Sequence, residues 1–161
     1  MSRVQARRSL LGMDFKQGKR MSIDSIELWH RRGRPDPTAR ELDIQMGCHV
    51  EEFVEMLDCV QFNGGWNNLR YELKLLADRL KSGQENVVIH DRKEMLDSLA
   101  DQIVTSVGVG HCAGMKMTDG VDAVNRSNWS KYDENGNPVF NEHGKIAKGP
   151  NYRPPVLNNL Y

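Results

Sequence analysis

Residues 38–60, TARELDIQMGCHVEEFVEMLDCV, decide how this chain is read. Ile44, Val50, Phe53, Val54, Leu57 and Val60 recur mostly at three- and four-residue steps, the stripe of a helix with one face turned to a core. The helix begins near Pro37-Thr38, and Asn63-Gly64-Gly65 is expected to end it. Upstream, Ser22 and Asp24 can cap a short helix through SIELWHRR, which Gly33 and Pro35 terminate. Downstream, Leu69, Leu73, Leu76 and Leu80 follow at spacings of 4, 3 and 4 until Ser82-Gly83. Asp91 then caps a third long helix, with Leu96, Leu99, Ile103, Val104 and Val107 on its apolar face. Residues 119–132 give a last, weaker helix with Val121, Val124 and Trp129.

After Tyr132 the texture changes. Turn signals stand at Asn135-Gly136, His143-Gly144, Gly149-Pro150 and Pro154-Pro155, with short strand-like pieces such as Pro138-Val139-Phe140 and Lys145-Ile146-Ala147 between them. The expected fold is therefore mainly α, an antiparallel helical bundle with a small C-terminal β-hairpin and an extended strap. Its parts are a flexible basic arm over 1–20, a helical domain over 21–132, and the hairpin and strap over 133–161.

Composition narrows the function. The 161 residues carry 22 Lys plus Arg and 22 Asp plus Glu. A pI near 7.0 argues against a stable complex with nucleic acid or an anionic membrane surface. No apolar run is long enough to span a bilayer, and Leu10-Leu11 is too short for a secretion signal, so the expected location is the cytoplasm. Cys48, Cys59 and Cys112 show no CxxC spacing, which disfavours a disulfide framework and a zinc knuckle. The neutral total hides an asymmetry: residues 1–34 hold nine Lys or Arg against three acids. Phosphate-loop, hydrolase-elbow and dinucleotide-binding motifs are all missing, and His90-Asp91 is explained by Asp91 as a helix cap.

The acids are distributed in a way that calls for cations. Glu41, Asp43, Glu51, Glu52, Glu55 and Asp58 fall in a stretch without Lys or Arg, and Glu94, Asp97 and Asp101 fall in another. Ordinary surface helices intersperse both signs, because like charges one turn apart repel. Glu51 and Glu52 each lie within one turn of Glu55, while Glu94, Asp97 and Asp101 share one face at i, i+3 and i+7. Two antiparallel helices with these faces apposed would enclose a space suited to hard divalent ions such as Mg²⁺.

At this point the residues resemble a family. Glu51-Glu52-Phe53-Val54-Glu55 followed by Glu94-Met95-Leu96-Asp97 resembles the EExxE and ExxD pair of the all-α nucleoside triphosphate pyrophosphohydrolases, the MazG-like and phosphoribosyl-ATP pyrophosphohydrolase-like group. Val124-Asn125-Arg126-Ser127-Asn128-Trp129-Ser130-Lys131 is similar to the SNxSK segment of its phage and bacterial members. The tail from Gly144-Lys145 to Gly149-Pro150-Asn151-Tyr152 is similar to theirs too, and the resemblance spans residues 38–155.

The resemblance implies hydrolysis of a nucleoside triphosphate to monophosphate and pyrophosphate, with Mg²⁺ or Mn²⁺ as cofactor. It implies Glu51, Glu55, Glu94 and Asp97 as metal ligands, Glu52 as the base that orients water and a further ligand, and Asp101 as a ligand or the neighbour of one; these roles can exchange. Lys131 and Lys148 would meet phosphates, and Gln45, Asn125 and Asn128 would meet sugar or base. The expected assembly is a homo-oligomer, dimer or tetramer, with sites near the subunit interface. The base and sugar preferred stay open. So does the alternative of a non-catalytic helical module whose carboxylates hold a structural metal or face a partner.

Overall fold

The computed structural model describes residues 22–64 and 67–161. The expected basic arm over 1–20 lies outside the described residues, as does Gly65 of the expected helix stop. Five helices organise the rest: α1 (Ile23–Gly33), α2 (Ala39–Asp58), α3 (Asn67–Ser82), α4 (Arg92–Cys112) and α5 (Met117–Trp129). No helix among the described residues is long and apolar enough to cross a membrane.

Local chemistry fixes the helix ends. Thr38 and Glu41 form a reciprocal capping box at the start of α2, in which each side chain accepts from the other residue's backbone N–H. Asp91 accepts from the backbone N–H groups of Lys93 and Glu94 at the start of α4. At the end of α3 the chain leaves through Gly83 at φ +81°, a left-handed conformation that glycine adopts without a Cβ penalty. The second helix stops at Asp58 rather than running on to Asn63-Gly64, because Cys59 N–H already turns back to the carbonyls of Met56 and Leu57.

The α2–α3 hairpin is the best-packed unit. Ile44, Cys48, Val54 and Leu57 of α2 are buried together with Ala77 and Leu80 of α3. The two helices run antiparallel: Arg40 donates to the carbonyls of Leu80 and Lys81 at one end, and Arg70 to those of Leu57 and Val60 at the other. Gly47 permits the close approach, since a Cβ there would sit 2.8 Å from the Ala77 carbonyl oxygen.

A second core joins α1 to the end of α5 and the segment beyond it. Trp29, Tyr132 and Ile146 are buried together, with Trp129 packed against them. The Trp29 and Tyr132 rings meet edge to face at 5.8 Å between centroids. Tyr132 donates its hydroxyl proton to the Trp29 carbonyl at 2.7 Å, and Trp29 Nε1 donates to the Asn128 carbonyl at 2.8 Å. Burial pushes the Tyr132 phenol up to about 12, against the opposing charges of Arg32 and Arg34.

The expected β-hairpin does not form strands. A single antiparallel bridge, Phe140 to Ile146, is its whole ladder among the described residues. The physical reason is length and competition. Asn141 Oδ1 accepts from the N–H groups of His143 and Lys145, and Arg32 and Arg34 take the carbonyls of Gly136 and Gly144. Pro138 brings no N–H, and Gly149-Pro150 ends the extended stretch soon after. The segment holds to the body through Ile146 and half-buried Tyr152, while Val139, Phe140, Val156 and Leu157 stay exposed.

The apolar face of α4 also departs from expectation. Leu96 is 70% exposed and Val104 67%, and Leu99, Ile103 and Val107 are exposed as well. The periodicity makes the helix, but within one chain nothing covers its stripe.

Candidate functional site

Pairing divides the expected carboxylates into two sets. Arg34 reaches Glu41 at 3.3 Å, Arg40 reaches Asp43 at 3.9 Å and Arg70 reaches Asp58 at 3.8 Å. Glu51 takes three ammonium groups: Lys81 at 2.7 Å, Lys145 at 3.2 Å and Lys74 at 3.6 Å. Partial burial alone would raise the Glu51 pKa. The hydrogen bonds from Lys81 and Lys145 overcome this and hold it down at about 2. These four acids are thus offset by bases from elsewhere in the chain, which corrects the expectation that both acidic stretches lack basic partners. Glu51 in particular acts as an anchor holding α3 and the segment after Gly144 onto α2, in place of the metal ligand expected.

The second set is uncompensated. Glu52, Glu55, Glu94, Asp97 and Asp101 are exposed and enter no hydrogen bond or ion pair among the described residues. The Asp91 cap uses the Glu94 backbone N–H and leaves its carboxylate out of the cap. One side-chain bridge links the two acidic helices: His49 Nε2 donates to Gln102 Oε1 at 2.5 Å. His49 lies one turn before Glu52, and Gln102 directly follows Asp101, so the contact falls between the two acidic faces. No group of three or more His, Cys, Asp or Glu side chains close enough to hold one ion forms within the described residues of a single chain.

Cationic side chains gather beside Glu52. Lys131 Nζ stands 5.8 Å from the Trp29 ring centroid, and Lys148 Nζ 4.9 Å from that of Tyr152. Burial lowers the Lys131 pKa; Tyr152 and Glu52 oppose this and Lys145 and Lys148 add to it. Lys145 is raised instead: burial would lower it, but Cys48, Glu51 and Glu52 outweigh that. A half-buried ammonium with like-charged neighbours gains most from a further anion.

Of the residues expected to meet sugar or base, Gln45 is exposed on α2, one turn before His49. Asn125 and Asn128 line a cavity of about 630 Å³ between α1, α5 and the C-terminal strap. Asn125 is buried, and its Nδ2 has no hydrogen-bond partner among the described residues. Leaving such a donor desolvated costs about 1–3 kcal/mol.

Lys145, Lys81, Lys74 and His49 escaped the sequence reading. Lys74 and Lys81 flank Asp78 at helical spacing, and that charged face of α3 was the available signal. Nothing in the sequence ties Lys145 to Glu51, 94 positions away. Comparison with known proteins adds nothing to this geometry: no family model, curated protein or solved structure matches the chain.

Proposed function

We propose that this protein is a metal-dependent nucleoside triphosphate pyrophosphohydrolase that works as a homo-oligomer. One observation carries the reading. Pairing removes Glu41, Asp43, Glu51 and Asp58 from the acidic set and leaves Glu52, Glu55, Glu94, Asp97 and Asp101 without cations. The survivors include the second and last acids of EExxE and both acids of ExxD.

The donor chemistry fits a hard divalent ion. Glu52, Glu55, Glu94 and Asp97 would hold Mg²⁺ or Mn²⁺, with Asp101 beside them, and the ion when bound supplies charge neutralisation at phosphate and activation of water. Glu52 is assigned to orient the attacking water. Lys131 and Lys148 receive the phosphate oxygens, since in-line attack on phosphorus depends on positioning and charge more than on covalent chemistry. Lys145 holds its segment in place through Glu51. Because one chain does not gather the carboxylates and leaves the α4 stripe uncovered, both are assigned to contact with a second copy.

The exposed α4 stripe also favours a non-catalytic partner-binding module. Incubation with a panel of nucleoside triphosphates and Mg²⁺ separates the two readings. Pyrophosphate release that EDTA abolishes supports the enzyme. Specific oligomerisation without turnover of any nucleotide supports the module.

A further inference from the structure

The cavity beside α5 is built differently from the carboxylate faces. No acid lines it, and Ile26, Val121, Val124, Leu157 and Leu160 make its walls apolar. Lys116, the one cation on its wall, is already engaged by the Asn159 carbonyl at 2.9 Å. Asn125, only 3% exposed, sits on this wall with Nδ2 unpartnered among the described residues. Native interiors rarely leave an amide donor desolvated without an acceptor. A volume of about 630 Å³ lies within the range of pockets that take small organic molecules. A Cβ placed on Gly120, on the same wall, would meet nothing within 4 Å, so the α5 backbone is open to a flat group.

We infer that this cavity takes the purine or pyrimidine base of the nucleotide. The base lies against Val121 and Val124, and a carbonyl oxygen or ring nitrogen on its edge accepts from Asn125 Nδ2. This rests on the proposed nucleotide function and adds the part that function lacks, a recognition site for the base. The direction of the chain agrees. One turn beyond Asn125 comes Asn128 on the same wall, and one turn further is Lys131, within the field of Glu52, Lys145 and Lys148. A base at Asn125 therefore directs its phosphates toward the lysines and the uncompensated acids. A purely apolar ligand would bring no acceptor and leave the Asn125 amide unsatisfied.

The test is calorimetric titration of the full chain with adenosine and with uridine in EDTA, with ribose 5-phosphate as the baseless control. A nucleoside should bind and the control should not. Asn125→Leu should weaken nucleoside binding about tenfold, the loss of one hydrogen bond, with its circular dichroism unchanged. Val121→Trp, which fills the cavity without touching the amide, should abolish binding and guards against a misfolded Asn125 variant. Failure of both nucleosides to bind overturns the inference, as does undiminished binding by both variants. A changed oligomer mass in Asn125→Leu with nucleoside affinity intact also overturns it and assigns the cavity to a second copy. Nucleoside binding without pyrophosphate release from any triphosphate leaves the base site standing and removes the hydrolase reading; release without nucleoside binding does the reverse.

Discussion

Glu51→Gln is the sharpest probe of how the acids divide. The substitution keeps the shape of the side chain and deletes the charge on which Lys81, Lys145 and Lys74 converge at 2.7, 3.2 and 3.6 Å. With Lys81 and Glu51 both only 18% exposed, the pair is largely screened from water by protein. The displacement of the Glu51 pKa from 4.5 to about 2 corresponds to about 3 kcal/mol of folding free energy. Because the Lys74 and Lys145 ends reach solvent, we expect about 2 kcal/mol. The sign follows from linkage. A carboxylate with a depressed folded pKa stabilises above its unfolded value and loses that contribution as pH falls through the folded one. Urea unfolding monitored by circular dichroism should thus show the variant weaker by about 2 kcal/mol at pH 7. The gap to wild type should narrow as pH drops from 4.5 toward 2. A variant as stable as wild type at pH 7, or a gap that stays constant down to pH 2, would refute the anchor role.

Three further outcomes are expected. Tyr132→Phe deletes the hydroxyl that donates to the buried Trp29 carbonyl and should lower stability by about 1–2 kcal/mol in the same unfolding assay. Gly47→Ala places a Cβ 2.8 Å from the Ala77 carbonyl, where backbone must move, and should cost about 1–3 kcal/mol; an unchanged melting temperature would contradict the close α2–α3 approach. Ile103→Asp puts a charge on the uncovered α4 stripe, so light scattering at micromolar concentration should show a smaller species than wild type, with helix content retained.

The helices were legible because periodicity and caps are local. The leucine spacing through Leu80, the Gly83 stop and the Asp91 cap each depend on a few neighbouring residues, and each recurs in the structure. The β-hairpin was over-read for a related reason. Turn residues announce a reversal, but a ladder also needs paired backbone groups, and Asn141, Arg32 and Arg34 claim several of them. The α4 stripe shows the limit of periodicity, which reports that a face is apolar without naming what covers it. Charge pairing was the least legible. Glu51 and Glu52 are adjacent in sequence, yet one meets three lysines and the other no ion pair among the described residues. That difference comes from α3 and from Lys145, which tertiary packing alone brings to α2.

The central claim is that the uncompensated acids serve phosphate chemistry, and ³¹P NMR of a nucleoside triphosphate incubated with the protein and Mg²⁺ tests it most directly. Nucleoside monophosphate and pyrophosphate should appear in equal amounts. Glu52→Gln and Asp97→Asn should each reduce the rate by about 100-fold or more while keeping the helical circular dichroism. Orthophosphate as the sole inorganic product, or full activity in both variants, would contradict the account.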